Sequence, residues 1–321
     1  MNETIVKRPP WRVTFDGSFW HHPAGARSGQ VLPLEKTFFW ADRTWYLPAA
    51  YLCGQGLVLD LCTEAEPEAV RSFLDKWGPK EHRLTSLELT LIQAEHPLHM
   101  DLSPSLTVNG KIIGYPGGMG VGWYPHWDRN DREAQWLLEH YGLDPDKGWS
   151  IHRYCFPWAT KRRPRRLSSL TLTLTPYPVP LPGPQFTVEG PGQQVSFVHP
   201  VTGQTHTLTV EEYEPQGEGD GQEDNGMIYP TRYVTLTYRL DPDLSQEAVI
   251  LQDRAEGDKP YPKEPDPMAP QASCSVALFT LPEEPGLHAA ASSLYFQPPK
   301  EVQWQMLLRE KLHNDVTIPL L

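Results

Sequence analysis

Leucine alternates with polar residues in two closely similar stretches. Residues 83–91 read Arg-Leu-Thr-Ser-Leu-Glu-Leu-Thr-Leu, and residues 166–174 read Arg-Leu-Ser-Ser-Leu-Thr-Leu-Thr-Leu, identical at seven of nine positions. A period of two is that of a strand with one buried face. The pattern therefore predicts two equivalent strands, with Leu87, Leu89 and Leu91 inward in the first and Leu170, Leu172 and Leu174 inward in the second. The match extends outward in short pieces: 106–110 with 186–190, 115–118 with 199–203, and 38–41 with 156–159. Two copies suit tandem sandwich units, or two halves of one body, rather than a solenoid.

A period near 3.6 appears at three places. Residues 63–78 carry the stripe Val70, Phe73, Leu74 and Trp77, with Thr63 and Glu66 spaced as a capping box and Gly78-Pro79 as a stop. Residues 130–141 carry Trp136, Leu137, Leu138 and Tyr141, with Asn130 as the cap and Gly142 as the stop. Residues 300–313 suit a helix through Trp304, Leu307, Leu308 and Leu312, with a strand following at 316–318. The remaining candidates are strands, including two or three within 36–63 and others at 149–156, 185–189, 194–199, 205–213, 231–240, 247–252, 274–280 and 290–297. Residues 211–226 read as an acidic, glycine-rich loop, and 257–270 as a proline-rich connector.

The expected class is mainly β: tandem or pseudo-duplicated antiparallel β-sandwich units, the first carrying two short helices. The domains are placed at 1–148 and 149–321. The chain of 321 residues is long enough for two domains with real cores, and 34 prolines and 24 glycines favour short strands joined by defined turns.

A net charge of −12 argues against a nucleic-acid partner. The one basic run, 161–166, reads most simply as a solvated linker. Cys53, Cys62, Cys155 and Cys274 form no CxxC pair. With no signal-like leader and no long apolar stretch, the expectation is a soluble, cytoplasmic protein without a membrane partner.

Candidate chemistry centres on 114–128, where glycines run into Trp123, Tyr124, His126, Trp127 and Asp128. The glycine spacing matches no phosphate loop. The aromatic residues suit a stacking platform for a carbohydrate or peptide, with His126 and Asp128 as hydrogen-bonding groups. The plainer alternative makes the glycines a turn and the tryptophans core. His96, His99 and Asp101 are weak metal candidates, with His126 or His21 as a third ligand. Asp60, Glu88, Asp128, Asp131 and Glu133 are carboxylates that sequence alone does not pair for hydrolysis. No nucleophile motif is present. The function expected is therefore a non-enzymatic binding or scaffold protein without a cofactor, whose partner is a carbohydrate or a protein. A carbohydrate-active or metal-dependent hydrolase and a purely structural assembly subunit are the alternatives.

Overall fold

The structure is a computed structural model that describes residues 7–78, 84–114, 117–127, 130–160, 163–219, 221–264 and 284–321. The chain begins with β1 (Gln30–Trp40), β2 (Arg43–Leu52), β3 (Gly56–Ala65), α1 (Pro67–Trp77) and α2 (Ser86–Glu95). Then come β4 (Leu102–Val108), β5 (Lys111–Ile113), β6 (Gly117–Trp123), α3 (Arg132–Tyr141), β7 (Gly148–Pro157) and β8 (Leu170–Pro176). Next follow β9 (Val179–Thr187), β10 (Gln194–Val198), β11 (Thr205–Gln216), β12 (Gln222–Asp224), β13 (Met227–Tyr229) and β14 (Tyr233–Asp241). The described elements close with β15 (Val249–Asp253), β16 (Tyr261–Pro262), β17 (His288–Ala291), β18 (Gln303–Glu310) and β19 (Val316–Pro319). All the described strand pairs in these sheets are antiparallel, and the protein is mainly β.

The chain forms two units. The first comprises Met1–Pro79, Glu95–Tyr177 and His313–Leu321; the second comprises Lys80–Ala94 and Pro178–Leu312. Strands β7 and β8 both pair into sheets of the first unit, so 149–177 group with it, as do 313–321.

In the first unit a five-stranded sheet, ordered β1-β2-β3-β7-β6, faces a four-stranded sheet ordered β19-β8-β4-β5. Their shared core takes Leu57, Leu59, Leu61 and Phe156 from the larger sheet and Leu106, Leu170, Leu172 and Leu174 from the smaller. The other face of the larger sheet is covered by the amino-terminal segment and α3, through Val13, Phe19, Trp20, Leu137 and Leu138. Strand β3 is thus covered on both sides. This explains why Leu57–Cys62 is apolar almost without alternation, whereas β8, open on one face, alternates. In the second unit the sheets β10-β11-β14-β17 and β15-β18-β9 enclose a core built around Trp304, Leu208, Leu236 and Leu308.

The two leucine stretches fold differently. Residues 170–174 form a strand with all three leucines buried, but 86–95 form a helix in which Leu87 is buried and Leu89 is exposed. One of the two substitutions between the stretches accounts for this. Thr85 Oγ1 accepts the Glu88 amide at 3.1 Å, and Glu88 Oε2 accepts the Thr85 amide at 3.1 Å, a reciprocal capping box. The matching position in the second stretch is Thr171, which is too short to reach back. Ile-Gln-Ala-Glu then continues the helix after Leu91, whereas Thr175-Pro176 follows Leu174. The expected strand equivalence of 83–91 and 166–174 is therefore corrected. Replacing Glu88 by Thr is expected to cost α2 about 1 kcal/mol and to speed amide exchange across 88–92. Unchanged exchange would show that the box does not hold this helix.

Other differences are local. Helix α1 starts at Pro67 with Glu66 as cap, because Thr63 is buried within β3, which runs on to Ala65. Helix α3 is capped by Asp131, whose carboxylate accepts the Glu133 amide, and ends at Gly142 in the left-handed conformation. The expected cap Asn130 instead closes the preceding turn. Residues 303–310 form the central strand of their sheet, not a helix, with 304–308 consecutively buried. The expected acidic loop at 211–226 is strand up to Gln216. The candidate strand 274–280, and Cys274 with it, lie outside the described residues. Among the described residues no helix is long and apolar enough to cross a membrane.

Candidate functional site

Gly117, Gly118, Gly120 and Gly122 build an edge strand, not a turn. Strand β6 pairs with β7 so that Gly118 faces Tyr154, Gly120 faces His152 and Gly122 faces Ser150. Alternate residues on that face carry no side chain, and rings occupy the space. A Cβ at Gly120 would fall 2.6 Å from the His152 ring, and one at Gly122 would fall 3.2 Å from the ring of Tyr124. His152 in turn stacks on Tyr154, with centroids 5.8 Å apart.

The chain turns sharply after β6. Asn130 Oδ1 accepts the Tyr124 amide, and Asn130 Nδ2 donates to the Tyr124 and Trp127 carbonyls. This turn sets the Trp127 ring edge-on to Tyr124, 4.9 Å between centroids, and leaves His126 exposed at positive φ. The Tyr124 hydroxyl meets His96 Nε2 at 3.1 Å, and His96 also packs on Phe73 of α1 at 4.4 Å. The Leu98 amide donates to His96 Nδ1, so that nitrogen is the acceptor and the ring proton sits on Nε2, pointing at Tyr124. His99 lies 6.4 Å from His96 between centroids and bonds Asp101 at 2.9 Å.

Four segments thus converge: α1, the 96–101 loop, β6 with its turn, and β7. Burial, with the nearby charges of His99 and Arg43, pushes the His96 pKa down to about 4. Burial and His99 also lower His152, and burial raises the Tyr124 hydroxyl. At neutral pH His96, His152 and Tyr124 are accordingly uncharged hydrogen-bonding rings.

The His96 shift has a stability consequence with a defined sign. Its folded pKa lies below the ordinary histidine value of 6.5, so the unfolded chain takes up the proton first as pH falls. Stability is expected to be full above 6.5 and to drop through the window from 6.5 to about 4. Chemical denaturation across that range, compared with a His96→Gln variant, checks it. The variant should show a shallower loss, and an equal slope would contradict the assignment.

The residues expected from sequence do not form one surface. Trp123 points to the opposite face of β6, packs with the core under α3 and donates to the Pro145 carbonyl. Tyr124 and Trp127 belong to the ring cluster, as do His96 and His99; His126 stands apart in solvent, and Asp128 lies outside the described residues. Among the described residues, no group of three histidine, cysteine or carboxylate side chains is arranged to hold a metal ion. His21, the other suggested ligand, is exposed and faces Glu133 at 3.6 Å. Asp60, Glu88 and Asp131 each have a structural partner: Arg153, Thr85 and the first turn of α3. His152 is a member that sequence reasoning missed, because nothing local marks it; only strand register brings it in.

A separate pocket of about 180 Å³ lies between the β4–β5 turn and residues 158–160 with Pro164, lined by Val108, Ile113, Trp158 and Lys111 among others. It is smaller than sites that enclose a drug-sized ligand, which run from about 300 Å³.

No protein-family model matches the chain, and neither a curated protein nor a solved structure shows significant similarity to it.

Proposed function

We propose that the chain is a non-enzymatic binding protein whose ligand site is the ring cluster of His96, Tyr124, Trp127 and His152 over the glycine face of β6. The observation that supports this is convergence. Separate segments bring half-buried rings with polar tips to one strand face from which side chains are missing. Such a mixture of ring faces and nitrogen or oxygen groups suits the hydroxyls and C–H faces of a carbohydrate, or the amides and side chains of a peptide. Among the described residues the site's carboxylate, Asp101, is bonded to His99, so acid–base hydrolysis by paired carboxylates gains no support from them.

Glycan and peptide arrays probed with the wild type and a Trp127→Ala variant test the reading. The expected result is a discrete set of wild-type ligands whose binding falls about tenfold or more in the variant, the equivalent of about 1.4 kcal/mol. Equal binding by both proteins, or no wild-type ligand on either array, would overturn it.

A further inference from the structure

The pocket between the β4–β5 hairpin and the connector after β7 has two walls held in place. The hairpin turn is Asn109-Gly110, with φ of 49° and 78°, and a type I′ turn needs positive φ at both positions. The turn sets Val108 opposite Lys111 and Leu106 opposite Ile113. Asn109 also ties the hairpin to the connector. Its Nδ2 donates to the Arg166 carbonyl at 2.8 Å, and its Oδ1 accepts the amides of Ser168 at 2.8 Å and Ser169 at 3.1 Å. On the other wall Trp158 donates its indole N–H to the Cys53 carbonyl and its amide to the Gln55 carbonyl, both at 3.0 Å. A cavity with such walls needs little ordering to receive a ligand.

Its chemistry is two-sided. Val108, Ile113 and Trp158 are buried and form an apolar floor, and the polar side-chain atom among them, the Trp158 indole nitrogen, is already bonded. Lys111, exposed on the hairpin, lines the same pocket. No carboxylate is among the described lining residues, and Arg163 and Arg165 flank Pro164 of the wall. The local charge is therefore positive in a chain whose net charge is −12. Arg163 is held on Gln30 Oε1 at 2.9 Å, so the cation placed to meet a ligand directly is Lys111. The volume is about 180 Å³, and an apolar cavity of about 150 Å³ takes up a benzene ring. An apolar body of one ring, with a negative group toward Lys111, matches this size and charge.

We infer that this pocket is a second binding site, independent of the ring cluster, for a small organic acid. A single ring or branched alkyl body lies against Val108, Ile113 and Trp158, and the carboxylate faces Lys111. Arg163 and Arg165 add to the positive potential at the rim, which favours entry of an anion into a protein that otherwise repels one.

The probe is benzoate, titrated at constant ionic strength beside benzyl alcohol, which has the ring without the charge, and acetate, which has the charge without the ring. Binding is followed by the indole signal of Trp158 and the amide signals of Val108, Lys111 and Ile113. The wild type is expected to show saturable shifts with benzoate, and affinities weaker by about fivefold or more for each of the other two. Lys111→Met should weaken benzoate about fivefold, the size of a charge pair at an exposed rim, and leave benzyl alcohol unchanged. Ala159→Trp, which brings a ring into the mouth from an exposed position, should abolish binding of all three. Both replaced side chains are exposed, and circular dichroism checks that each variant keeps the wild-type fold; if one does not, the other decides. No saturable benzoate shift at these signals, equal affinity for benzoate and benzyl alcohol, or undiminished benzoate binding in a folded variant would overturn the inference.

Discussion

Replacing Arg153 by methionine is expected to lower the unfolding free energy by about 3–5 kcal/mol. Arg153 and Asp60 are direct cross-strand partners on β7 and β3, and both side chains are wholly buried. Arg153 Nε and Nη2 donate to the two Asp60 oxygens at 2.8 and 2.7 Å, and Nη1 donates to the Ser18 carbonyl at 2.8 Å. Burial works against the arginine charge, and the Asp60 carboxylate more than restores it, so its pKa lies above the ordinary value. The Tyr141 hydroxyl also donates to Asp60, Tyr51 meets Tyr141 at 3.2 Å, and the Trp11 indole reaches Tyr51. Removing the guanidinium would strand the carboxylate in this network and release the amino-terminal segment at Ser18. The double replacement Asp60→Leu, Arg153→Met removes both charges and should recover most of the loss, since a buried pair contributes less than the cost of breaking it one-sidedly. Urea denaturation of the three variants decides the matter. A loss below about 1 kcal/mol in Arg153→Met would mean that the pair is not held as described.

Trp304→Ala should have an effect of similar size, about 3–5 kcal/mol, but in the second unit. Trp304 is fully buried on β18, between Asp253 of β15 and Phe186 of β9, and faces the opposing sheet's Leu208 and Leu236 within one core. Truncation leaves a cavity that the two sheets close only in part. Because the cores of the units draw on separate residues, amide exchange should accelerate in β11, β14 and β18 while β3 and β7 keep their protection. Equal acceleration in both units would show one cooperative core instead of two.

The parts of this fold that sequence made legible are those where one face is buried and the other is wet. Strands β8 and β14 alternate as written, and α3 carries its stripe and its terminal Gly142. Periodicity misled where other physics decided. At 83–91 the leucine period of two favoured a strand, but Thr85 and Glu88 close a capping box and the residues after Leu91 are helix formers. The Thr-x-x-Glu spacing of that box is legible in the letters. At 303–310 burial on both faces erases alternation, so a central strand resembles a helix. The glycines of β6 carry no side-chain pattern at all, and their role appears only when His152 and Tyr124 are seen to fill the space above them. The site was half legible. Tyr124, Trp127, His96 and His99 stand out as chemistry, yet their meeting across 28 residues, and the presence of His152, depend on strand register.

The most direct test of the binding account is to titrate the best array ligand into the protein and follow the histidine ring and tryptophan indole signals. The account predicts that His96, His152 and Trp127 shift together and saturate at one ligand concentration, while His199, His206 and His288 of the second unit stay fixed. Shifts confined to the second unit, or a saturated complex in which His96 and His152 have not moved, would contradict it.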